Sequence, residues 1–80
     1  MVTQQEAEKL AQKHVQDYLN ACGLDTVEDA GNALMKLCSV AGVMMCATVG
    51  QDDAVARLEG TAAFIAKPQF AGKWKQEAVQ

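Results

Sequence analysis

The chain has 80 residues and a formal net charge of −3, and half of its residues are hydrophobic while only 5% are aromatic. That length predicts a single domain, residues 1–80, near the lower limit of what folds unaided, and the acidic balance argues against nucleic acid as the main partner. Because the first residues show no secretory signal and the three cysteines form no CxxC motif, we expect a cytoplasmic protein with reduced thiols.

A first helix is predicted at about residues 4–22. Thr3 and Glu6 have the spacing of a capping box, and Gly23 supplies the left-handed position that ends many helices. His14 lies within the apolar stripe of this helix, which predicts a histidine in the core or at an interface rather than a metal ligand. The stripe consists of Ala7, Leu10, Ala11, His14, Val15, Tyr18, Leu19 and Cys22.

A long second helix is predicted at about residues 26–49, with Asp25 or Thr26 as its N-cap and Gly50 after its end. Its core-facing stripe is Val27, Ala30, Leu34, Leu37, Ala41 and Met45. The opposite face begins polar and becomes apolar halfway along, in the order Asn32, Lys36, Ser39, Val43, Cys46 and Ala47. This change predicts that the second half of the helix is covered by a partner.

Residues 37–50, LCSVAGVMMCATVG, contain no charge. The stretch is shorter than the roughly 20 apolar residues that span a bilayer, so we expect no membrane and favour a core or an interface. Cys38 and Cys46 lie about 12 Å apart along a helix and therefore cannot form a disulfide with each other. Because no base accompanies them, they are expected to be buried small side chains that, together with Gly42, let another helix approach closely.

A third helix is predicted at about residues 53–66, beginning at Asp52 or Asp53 and ending near Lys67 because Pro68 disfavours continuation. Its core-facing stripe is Val55, Leu58, Ala62 and Ile65, with Phe64 on the other side. Gly60 inside this pattern indicates either a close helix crossing or a break.

The remaining residues, 67–80, predict either a short fourth helix or an extended tail. Aromatic side chains interleaved with lysines suit a nucleic-acid strand or an acidic protein groove. The interpretation we favour is that the aromatic side chains anchor the tail to the helices and the lysines are solvated. The side chains in question are Phe64, Lys67, Phe70, Lys73, Trp74 and Lys75.

These elements predict an all-α fold of three helices with a long central helix. No catalytic or nucleotide-binding motif and no metal-ligand spacing occurs in the sequence, so we expect neither an enzyme nor a cofactor. The turn at residues 21–34 resembles a helix-turn-helix in spacing, but Glu28 and Asp29 would face phosphates with the wrong charge.

The predicted function is therefore protein–protein interaction. The candidate interface is formed by Val40, Val43, Met44, Cys46 and Ala47, and a homodimer is the simplest way to cover it. The small size and missing motifs suit an inhibitor of a host or defence complex, of the kind that phages and mobile elements encode. Two alternatives are a self-assembling structural subunit and a nucleic-acid-associated regulator that uses the basic tail.

Overall fold

The computed structural model describes residues 1–72. They form three α-helices, α1 (Gln4–Cys22), α2 (Val27–Val49) and α3 (Gln51–Ile65), followed by a short 3-10 helix at Pro68–Phe70. No strand occurs within these residues. The predicted all-α fold with a long central helix is confirmed.

The ends of α1 follow from its local sequence. The Thr3 hydroxyl accepts a hydrogen bond from the Glu6 backbone N–H (3.1 Å), and the Glu6 carboxylate accepts one from the Thr3 N–H (3.3 Å). This reciprocal pair satisfies two donors that have no partner inside the helix. At the other end Gly23 has φ 64° and ψ 55°, the left-handed conformation that glycine adopts without steric cost. The predicted capping box and end residue are both present.

Thr26, and not Asp25, caps α2. Its hydroxyl accepts a hydrogen bond from the Asp29 N–H (3.0 Å), while the Asp29 carboxylate accepts one from the Asp25 N–H (3.4 Å). Glu28 and Asp29 lie in the first turn, where negative charge is favoured by the helix dipole.

A single residue, Gly50, joins α2 to α3. It has φ 95° and ψ 157°, a region that only glycine adopts readily. Its carbonyl accepts a hydrogen bond from the Ala54 N–H at 3.0 Å, so α3 begins at Gln51. The prediction that Asp52 or Asp53 begins this helix was wrong. The carboxylate of Asp53 instead forms an ion pair with Arg57 at 3.0 Å.

The chain divides into two compact units, Met1–Leu34 and a second unit that begins at Met35. In the first unit Ala30 is buried, with 4% of its surface exposed, and the Tyr18 hydroxyl donates a hydrogen bond to the Ala33 carbonyl at 2.8 Å. Only part of the predicted α1 stripe is covered, since Ala7, Val15, Tyr18 and Leu19 are half-buried and the rest of the stripe is exposed.

His14 is exposed, so it does not lie in the core of this chain, and its place at an interface stays a prediction. Leu10, one turn before it, is exposed as well. Half-buried members of the stripe lie on both sides of these two residues, at Ala7 and from Val15 onward, so the burial along the stripe is interrupted.

The second unit contains the later part of α2, α3 and the 3-10 helix. Ala54 is completely buried (0% exposed), and Gly42 is buried as well. A methyl group added at Gly42 would lie 3.2 Å from Leu58 Cδ1, so the predicted close helix approach occurs here, between α2 and α3. At Gly60 the helix continues and an added Cβ meets nothing within 4 Å. Gly60 therefore marks neither a crossing nor a break.

Candidate interaction surface

The second half of α2 carries an exposed apolar surface. Val43 is 71% exposed, Met44 is 64% exposed and Val40 is 50% exposed, and Cys46 and Ala47 are exposed as well. We call these five residues the α2 surface. Residues three and four apart share one side of a helix, so Val40, Val43 and Ala47 lie along one line of the helix, with no charge among them. A soluble protein rarely leaves such a cluster in water.

Lys36 continues the same line toward the start of α2, since it lies four residues before Val40. Asp52 belongs to the next helix, in the first turn of α3, after the chain turns at Gly50. Lys36 and Asp52 are both exposed. The uncharged line of side chains on α2 is thus preceded by one positive charge, that of Lys36.

The apolar stripe predicted for α3 is not buried as expected. Val55, Leu58 and Ile65 are each exposed over two-fifths of their surface or more, and Ala62 is exposed too. Since α3 makes its close approach to α2 at Gly42, two helices in this unit bury only small residues completely. The sequence pattern identified the apolar face of α3 correctly but could not show that little in the unit covers it.

The three thiols also differ from expectation. Cys22, Cys38 and Cys46 are free and exposed, whereas the sequence predicted buried side chains. Cys38 and Cys46 flank Gly42 by four residues on either side, yet only Gly42 is covered.

Met35 is an exposed side chain that the sequence analysis missed, with well over half of its surface in contact with solvent. Met35 belongs to neither of the two lines of residues predicted for α2, the core-facing stripe and the polar line that includes Lys36, so its exposure was not predicted. The usable signal was the abundance of alanine, because helices with few large side chains cannot cover a methionine on a neighbouring turn.

Two of the aromatic residues predicted to anchor the tail do meet. The rings of Phe64 and Phe70 are 5.2 Å apart between centroids and tilted by 56°, an arrangement that aromatic pairs favour. The Lys67 ammonium lies 5.2 Å from the Phe64 centroid, within range of a cation–π interaction. Both rings remain partly exposed. Lys73, Trp74 and Lys75 lie outside the described residues.

Among residues 1–72, the titratable groups with altered pKa values belong to α1, in the unit Met1–Leu34. Burial raises the pKa of Tyr18, and the neighbouring Cys22 raises it further. The hydrogen bond and charge of Lys13 lower the pKa of Asp17, across an exposed pair separated by 2.8 Å. Residues 1–72 contain no group of three or more His, Cys, Asp or Glu side chains placed to hold a metal ion.

The whole of α2 is longer than its uncharged stretch. By length and composition Val27–Val49 is long and apolar enough to cross a membrane, a property that residues 37–50 alone do not have. The helix also carries Glu28 and Asp29 in its first turn and Lys36 well inside its length, and a charge inside a bilayer is costly.

Comparison of the chain with family models, with curated proteins and with solved structures finds no match.

Proposed function

We propose that this chain is a small non-enzymatic protein that acts by binding another protein chain through the α2 surface. The observation that carries this proposal is the exposure of Val43, Met44 and Val40 in an uncharged part of α2. Removing apolar area of this kind from water contributes roughly 25 cal/mol per Å², so a covering partner gains stability directly. Methionine adds a flexible side chain that adapts to a partner's shape.

The surroundings of the surface support binding more than chemistry. Cys46 is the one nucleophile of the α2 surface, and the other four side chains of that surface, Val40, Val43, Met44 and Ala47, include neither a base nor a positive charge. A reactive thiol needs a neighbouring base or positive charge. The free state of the thiols fits a reducing compartment such as the cytoplasm. Inhibition of a host or defence complex is the particular form of binding that the small size suggests.

The proposal is tested by capture from host lysate with three forms of the protein. Val43→Asp places a charge at the centre of the α2 surface. Val27→Asp is the matched control, because Val27 is also exposed but lies in the first turn of the same helix, where an acid is favoured. We expect one set of captured proteins with the wild type and Val27→Asp, and its loss with Val43→Asp.

A direct binding measurement with the purified partner then follows. We expect the dissociation constant to rise at least about tenfold for Val43→Asp, since hot-spot substitutions commonly cost that much or more. Circular dichroism of each variant checks that the helices are retained, and Val43→Lys repeats the test with a better helix former. Equal binding by all four forms would show that the α2 surface is not the binding site.

A further inference from the structure

We draw no further inference here: the strongest candidate, the exposed apolar face of α2 around Val43 and Met44, carries none because nothing within the described residues 1–72 shows what covers it.

Discussion

The two units of the chain differ in how many of their polar groups find hydrogen-bond partners within the unit and in how much apolar surface they leave exposed. In the unit Met1–Leu34, hydroxyl caps satisfy the start of each helix and the Tyr18–Ala33 hydrogen bond ties side chain to backbone across 15 residues. In the unit that begins at Met35, α3 starts without a side-chain cap, and apolar side chains on both helices are exposed. Hydrogen bonds from caps and from Tyr18 thus stabilise the first unit, while the stability of the second unit depends more on burial of its apolar side chains.

Among the substitutions considered, one at the Gly50 connection is expected to change the difference in stability between the two units most. We expect Gly50→Ala to destabilise the second unit by about 2 kcal/mol, because its φ of 95° is strained for any residue with a Cβ. Amide hydrogen exchange would report the loss of protection in α3 while α1 keeps its own. Gly60→Ala is the control, since it is helical and open, and it is expected to stabilise by about 0.5–1 kcal/mol. Equal effects of the two substitutions would contradict the strained turn.

Two glycines of α2, one in each unit, test whether the helix is closely packed in the second unit and open in the first. At Gly31, in the first unit, an added Cβ meets nothing within 4 Å, whereas at Gly42 it lies 3.2 Å from Leu58 Cδ1. Gly31→Ala should therefore stabilise by about 1 kcal/mol. At Gly42→Ala the same gain of helix propensity is offset because Leu58 must move, and we expect no net stabilisation. Urea denaturation followed by circular dichroism measures both, and an equal gain at the two sites would rule out close packing at Gly42.

The smallest expected effect concerns Tyr18 and pH. The folded-state pKa of Tyr18 is raised, so its contribution to stability is fully present below the unfolded pKa of about 10 and is lost as pH rises through the folded pKa. Thermal unfolding on both sides of pH 10 should show a decline that Tyr18→Phe reduces. A decline of the same size in the variant would assign it to other groups.

Much of the fold was predictable because helix ends are encoded locally. Thr3 with Glu6, Thr26, Gly23 and Gly50 all act within four residues of themselves, and the helix bounds they predict agree with the structure to within two residues. The exposed Val43 was also predictable, since the charges on its side of the helix stop at Lys36.

Burial was predicted less well, because it depends on contacts between distant residues. Cys38, Cys46 and Val55 have the sequence character of covered side chains but are exposed. His14 shares the α1 stripe with Tyr18, yet only Tyr18 is half-buried. A helical pattern shows which residues share a side, and it does not show how far along the helix a neighbour reaches.

The sequence by itself determined the three helices, their caps and the uncharged line of side chains on α2, because each depends on residues within a turn or two of one another. Only the tertiary structure decided that α3 approaches α2 at Gly42 through Leu58, and that this approach leaves Val40, Val43 and Met44 exposed. The physical reason is that burial is a property of pairs of surfaces. Two helices with small residues at their contact come close together while leaving the larger side chains on their outer faces uncovered.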